Sequence, residues 1–492
     1  MFCLTVAKNN FFIILTVIFT GCCVGPDFKA PGVPKAAGYN AKPLPAETVA
    51  VPAVGQDKQK FMPGQEIVAQ WWGLFHCEKM NKVLAQALAN NPTLAQAQAA
   101  LRQAQEEVNA QFGGVVYPKV DAGLSSVRQK ISSAAQGVEI GESKAFTLDD
   151  ASVQVSYLLD IFGGGRRSLE ALRARVDYQR YQLEAARLTL TGNIIAAAIK
   201  EASLRAQIAA INSVIGAQEK QLKMLDQRFE LGAVGRTNIL AQRALLESNR
   251  ALLPPLEKSL NLNRHYLAAL VGDFPSQVNN LPEFYMADFT LPDTLPVSVP
   301  SALVKQRPDI AGAQALLHAA CAQIGVATAN MYPQITLSAA FGGEANVIKT
   351  IFSDKHDVWS LGYAVAQPII EGGSLRARRR SAVAAYDQAM AAHKQVVLSA
   401  FQNVADVLCA LDTGAKALRA QVAAQAAAQD SLKLAYQQFD AGAVSYDFVL
   451  DADNQYQQAL INCIQAQALR FSDTAALFEA LGGGWWNQKE NL

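Results

Sequence analysis

Side chains able to do chemistry are sparse and scattered. The five histidines, His76, His265, His318, His356 and His393, have no partner at catalytic or metal-ligand spacing. No phosphate-binding loop or nucleophile motif accompanies them, so an enzyme is not expected and no cofactor or metal is implied. The seven cysteines contain no CxxC and no Cys/His cluster, which argues against a disulfide scaffold, a zinc site or a redox motif. Cys321, Cys409 and Cys463 lie in Ala-rich helical sequence, where a cysteine serves as a small buried hydrophobe. With 43 basic against 42 acidic residues the net charge is +1, and nothing electrostatic points to a nucleic acid.

One cysteine is placed differently. Residues 1–21 read as an export signal, with Lys8 supplying charge and Phe11 to Phe19 an apolar run too short to span a bilayer. The run ends in Phe19-Thr20-Gly21-Cys22, which resembles the lipobox of bacterial lipoproteins, where small residues precede the cysteine that is acylated. Cys22 is therefore the expected lipidation site, with Cys23 as a competing acceptor and Gly21 the better residue before a cut. Residues 22–75, rich in Pro, Gly and Ala, are expected to form an extended tether, within which the Trp71-Trp72 pair packs in a core.

The elements that dominate the rest are two proline-free stretches. In the second, about 375–440, Tyr386, Met390, Val397, Phe401, Val404, Leu408, Leu411, Leu418 and Val422 keep one helical face apolar. In the first, about 166–231, Leu204, Ile208, Ile211, Ile215, Leu222, Leu225 and Phe229 repeat the stepping. Each predicts one helix of roughly 100 Å, far longer than a small domain. Gly192, Gly216 and Gly414 could instead mark turns between ordinary bundle helices. None has a neighbouring proline or turn cluster, and the stepping around Gly216 stays in phase. The repeat, between the heptad value of about 3.5 and the straight-helix value of about 3.6, predicts little supercoiling.

Elsewhere the period is two. Val120, Ala122 and Leu124 alternate with Asp121, Gly123 and Ser125, predicting a strand near 118–128; Val153, Val155, Tyr157 and Leu159 predict a second near 151–161. Ser132 to Asp150 between them reads as a long polar loop. Ile335, Leu337, Ala339 and Phe341, and then Trp359, Leu361, Tyr363 and Val365, predict strands near 334–342 and 358–368. A return helix capped by Thr237 should run to Gly272, kinked or split by Pro254-Pro255, before a five-proline crossover.

The halves repeat. Leu316 through Tyr332-Pro333 aligns on Leu101 through Tyr117-Pro118 at an offset of 215 residues, and Phe439-Asp440-Ala441-Gly442-Ala443-Val444 aligns on Phe229-Glu230-Leu231-Gly232-Ala233-Val234 at 210. The expected organisation is a first repeat over 76–290, a second over 291–484, and a short tail, 485–492. The strand pattern suits a transmembrane β-barrel, but four strands cannot close one, because open edges in lipid strand backbone groups without partners. Several chains must share a barrel, unless the strands form a soluble sheet beneath helices. A periplasmic coiled-coil scaffold or adhesin would need no alternating strands.

These residues resemble the TolC-like outer membrane factors, in their NodT-type lipoprotein branch. The carriers are Cys22 to Phe28, Trp71-Trp72 with Leu74-Phe75, Ala87 to Pro92, Leu253 to Glu257, Ala269 to Gly272, Arg307 to Ile310, Ile324 to Ala327 and Val449-Leu450-Asp451-Ala452. The resemblance implies a mainly α fold with a small β part. A homotrimer would complete a twelve-stranded outer membrane barrel, continued by a helical tube in the periplasm of a Gram-negative bacterium. It implies a passive duct for small molecules such as drugs, fed by an inner membrane RND-type pump through a periplasmic membrane fusion (adaptor) protein. A type I protein secretion exit duct is the alternative within the family. It also carries a channel gate over to Asp451 and, one turn earlier, to Asp447, where aspartates would ring the threefold axis; Phe448 stands where some relatives have the second aspartate. The plainer reading makes Asp447 a helix cap and Asp451 a solvated surface charge. Arg166, Arg167, Arg376, Arg378, Arg379 and Arg380, clustered where strands hand over to helices, need counter-charges. Glu170 and Glu371 are the nearby candidates, and lipid phosphate head groups are the other.

Overall fold

The computed structural model describes residues 23–33, 38–40, 43–51, 58–130 and 145–487. The export signal, Cys22, most of the polar loop between the first two strands and the end of the C-terminal tail lie outside the described residues. In chain order the elements are β1 (Lys60–Pro63), α1 (Glu78–Asn90), α2 (Pro92–Val116), β2 (Lys119–Gln129), β3 (Phe146–Leu159) and α3 (Gly164–Glu230). Next come α4 (Arg236–Arg250), α5 (Leu253–Val271), β4 (Thr294–Val297), α6 (Pro300–Gln306), α7 (Pro308–Ala329), β5 (Gln334–Ala345) and β6 (Asp357–Ala366). The last two helices are α8 (Ser374–Asp440) and α9 (Tyr446–Ala480).

Both long helices are continuous over 67 residues. The glycines inside them are not breaks. A Cβ on Gly192 would meet the Glu479 carboxylate at 2.5 Å, and one on Gly414 would lie 3.1 Å from Asp473, so each lets an acidic side chain of α9 lie against the helix. Burial raises the pKa of both acids, that of Asp473 to about 6. The return from α3 is split rather than kinked: α4 stops at Arg250, and Pro254-Pro255 stand in the first turn of α5, where a missing N–H costs nothing. Thr237 is not the cap; Gly235 holds that position, without a side-chain hydrogen bond.

The chain divides into two compact units. The first, made of the N-terminal residues to Pro31, Ala100–Gln179 and Gly312–His393, holds an antiparallel sheet in the order β2-β3-β5-β6. Its register sorts the faces. Val120, Val155, Ala339 and Leu361 lie side by side, as do Ala122, Val153, Phe341 and Trp359, and then Tyr157, Leu337 and Tyr363. The rows between them, Asp121 with Gln154, Ala340 and Ser360, and Ser156 with Ser338 and Gly362, are polar or small. One face is thus apolar and rich in aromatics while the other is wettable, the pairing a membrane barrel needs. Trp359, Leu361 and Tyr363 are each at least three-quarters exposed, and among the described residues β2 and β6 are hydrogen-bonded on one side only. β3 begins earlier than the alternation suggests: Thr147 to Asp150 pair with Arg128 to Ser125, because adjacent Asp149-Asp150 hides a strand that the ladder nonetheless recruits.

The second unit, Gly32–Ala99, Arg180–Ala311 and Lys394–Leu492, holds the rest of the helices. The segment expected as a tether is packed here. β1 pairs parallel with β4, Val51 joins Leu418 and Cys463 in a core cluster, and buried Trp71 stacks on Phe478 with centroids 5.1 Å apart. It has no periodicity of its own because it is laid across helices, so only contacts distant in sequence bury it. The stripe of α8 buries as expected, with Val404, Leu408, Leu411 and Leu418 inside, whereas Phe229, the last of the α3 stripe, is 42% exposed; Cys409 is exposed too, about 100° around the helix from Leu408.

Candidate functional site at the helical turns and the strand-to-helix handover

Both long helices end in the same turn. Gly232 and Gly442 each take φ +74°, which a side chain would disfavour. Ala233 N–H donates to Arg228 O at 2.8 Å and Ala443 N–H to Gln438 O at 2.9 Å, the closing bond of a Schellman cap. Beneath the turns Leu225, Ile239, Ala435, Tyr446, Val449 and Ala452 form a core shared by α3, α4, α8 and α9. Arg228 of α3 bonds Asp440 of α8 at 2.8 Å and lies over the Phe439 ring, tying the two long helices at their ends.

Asp447 and Asp451 sit in the first two turns of α9, on one exposed face. Asp447 does not cap the helix; Ser445 occupies the N-cap position, and Asp447, two residues on, places its charge where the helix dipole favours it. Neither aspartate makes an ion pair among the described residues. A third acid was not legible as a site residue. Asp453 is buried, accepting hydrogen bonds from Gln218 and, at 3.4 Å, from Gln457. Its signal lay in the core stripe of α9, where Tyr446, Val449 and Ala452 are followed by an acid at helical spacing. Burial raises its pKa, and raises that of Tyr436 to about 12.

The handover from strand to helix is a second cluster, within the first unit. Asp160 caps α3, accepting from the Gly165 and Arg166 amides at 3.0 and 2.8 Å, and its carboxylate is the counter-charge of Arg166. Arg167 is buried and pairs with Glu170 at 2.8 Å, as the sequence suggested, and with Asp27 at 2.7 Å, which it did not. His318 bonds the other oxygen of Glu170 at 2.9 Å and stacks on Phe28, with centroids 4.4 Å apart. Gly25, at φ +97°, leaves no room for a Cβ against Gly325. Residues 23–28 are thus clasped onto α3 and α7 directly after the expected lipidation site. Cys22 itself lies outside the described residues; Cys23 is exposed, its thiol 3.8 Å from Gly163 O. Glu371 forms no ion pair with Arg376, Arg378, Arg379 or Arg380, all exposed, among the described residues.

Comparison with known proteins agrees with this arrangement. The family model described as outer membrane efflux protein matches residues 83–273 and 299–483. The chain is 30% identical over 434 residues to the pyoverdine export outer membrane protein OpmQ of Pseudomonas aeruginosa, covering 86% of this chain and 89% of the relative. It is 28% identical to the toluene efflux pump outer membrane protein TtgF of Pseudomonas putida, over 96% of both. The solved outer-membrane channel OprN superposes with a TM-score of 0.83 at 25% identity, covering 94% of this chain and all of that one. With two strands running into a 67-residue helix in each of its halves, the chain belongs to the outer membrane efflux protein family and forms an efflux channel of the outer membrane, its fold TolC-like.

Proposed function

We propose that three copies of this chain close one twelve-stranded barrel and one helical tube. Together they form a passive duct that takes small toxic molecules from an RND-type inner membrane pump, through a periplasmic adaptor, to the outside. The carrying observation is the open sheet. Its β2 and β6 edges are unsatisfied within the described residues, its faces are sorted into apolar and polar, and in lipid such edges must be paired by further copies. Three copies of four strands exceed the minimum of about eight for a closed barrel. The duct has no energy source of its own. Relatives named for pyoverdine export and toluene efflux support an exported small molecule. Cys22 carries the lipid, and Asp447 and Asp451 form the gate, three exposed carboxylates of each kind converging where the helices reverse.

The test is electrical. Reconstituted trimers carrying Asp447→Ala with Asp451→Ala should conduct more and lose block by divalent or trivalent cations added on the periplasmic side. Unchanged conductance and unchanged block would move the gate elsewhere.

A further inference from the structure

Asp453 faces away from solvent, at 6% exposure, two residues past Asp451. Both donors that reach it among the described residues are neutral amides: Gln218 from α3, and Gln457 from its own helix at 3.4 Å. Gln218, itself 1% exposed, accepts from Asn249 of α4 at 2.8 Å, and its backbone carbonyl accepts from Gln242 of α4 at 3.3 Å. Gln242 in turn accepts the Tyr446 hydroxyl of α9 at 2.7 Å. The bonds therefore run from α9 to α3 and α4 and back to α9, joining the hairpin of the first repeat to that of the second.

Among the described residues the surroundings offer no cation. From α8 the group facing Asp453 is the Tyr436 phenol, and from α9 it is Tyr446, both held neutral by burial. α3 and α4 present only amides and apolar side chains. Arg228 with Asp440, and Arg250 with Glu219 and Glu247, are paired with one another towards solvent. An ionised carboxylate here is stripped of water and answered by dipoles alone, which penalises the packed state.

We propose that Asp453 is a positioning residue for the gate: protonated, it holds the two hairpins together, and ionised, it pushes them apart, so that closure is proton-dependent. The inference rests on reading the helical turns as the gate. The sign follows from burial. A carboxyl whose pKa is higher in the closed, packed state than in an opened, wetted one favours closure at low pH, and that support is lost as pH rises through the raised value. For every pH unit that separates the two titrations, the open-to-closed ratio changes about tenfold per subunit.

Bilayer recordings of reconstituted trimers between pH 4 and pH 8 decide the matter. The open fraction of the wild type should rise with pH, and Asp453→Asn, which keeps the amide bonding without the charge, should hold it flat at the low value. A variant with the wild-type slope would overturn the proposal. Asp447→Ala with Asp451→Ala should retain the pH slope while losing cation block; if that pair changes nothing and Asp453→Asn still flattens the slope, the exposed ring fails and the buried carboxyl stands. Should Asp453→Asn not assemble, hydrogen exchange on wild-type trimers provides the answer. Protection of residues 446–460, corrected for intrinsic rate, must fall as pH rises, and pH-independent protection would refute the assignment.

Discussion

Arg167 holds the N-terminal segment through contacts of unequal weight, and replacing it should release that segment by a calculable amount. Arg167→Met keeps most of the stem and removes every donor. The bond to Glu170, at 2.8 Å, lies within α3 and is present whether or not the segment is docked, so its loss does not enter the docking equilibrium. The bond to Asp27 is short, at 2.7 Å, but Asp27 is 87% exposed, so solvent screening leaves it about 0–1 kcal/mol. The contacts to Val24 O and Gly25 O, at 3.3 and 3.5 Å, are long and add little. The contacts that reach residues 23–28 thus total about 1 kcal/mol, and their loss favours detachment by roughly fivefold. Val24 N–H donates to Phe162 O at 3.1 Å and reports the docked state directly. Its hydrogen exchange in wild-type and variant trimers should differ by about that factor, and Asp27→Asn, which removes the larger share, should reproduce most of the change. An unchanged exchange rate in Arg167→Met would show that the apolar contacts of Phe28 and the Gly25–Gly325 approach hold the segment, and the electrostatic account would fall.

Two further outcomes follow from the same structure. Burial lifts the Asp473 carboxyl to about 6, so the stability it confers is present at low pH and lost as pH rises through that value. The unfolding free energy measured by urea titration should fall across this window by up to about 1.4 kcal/mol for each pH unit crossed, and Asp473→Asn should flatten the trend; an unchanged slope would place the titration elsewhere. Cys22→Ser should abolish fatty-acid labelling while the barrel still inserts some trimer, since a single acyl chain holds a protein only marginally. Labelling that persists would move the acceptor to Cys23.

What could be read from the sequence was whatever repeats along it. Stepping by three and four over roughly 65 residues specified two long helices, alternation specified strands, and offsets near 210 specified the duplication, because each pattern is a property of consecutive residues and the face they share. A glycine inside such a pattern is ambiguous from sequence. Gly192 and Gly414 proved to be sites where Glu479 and Asp473 approach, which depends on a helix more than 50 residues distant in sequence. The same holds for Asp149 and Asp150, drawn into β3 by cross-strand pairing, and for Val51 and Trp71, buried by helices that the N-terminal segment crosses. The gate candidates divide along this line. Asp447 and Asp451 were visible as acids near a turn, whereas Asp453 differs from them only in facing Gln218 rather than water, and that orientation is set by how α9 packs against α3 and α4. Sequence determined which elements exist and how long they run; tertiary packing decided which charges are denied water, because desolvation depends on what lies opposite a side chain and not on its neighbours in the chain.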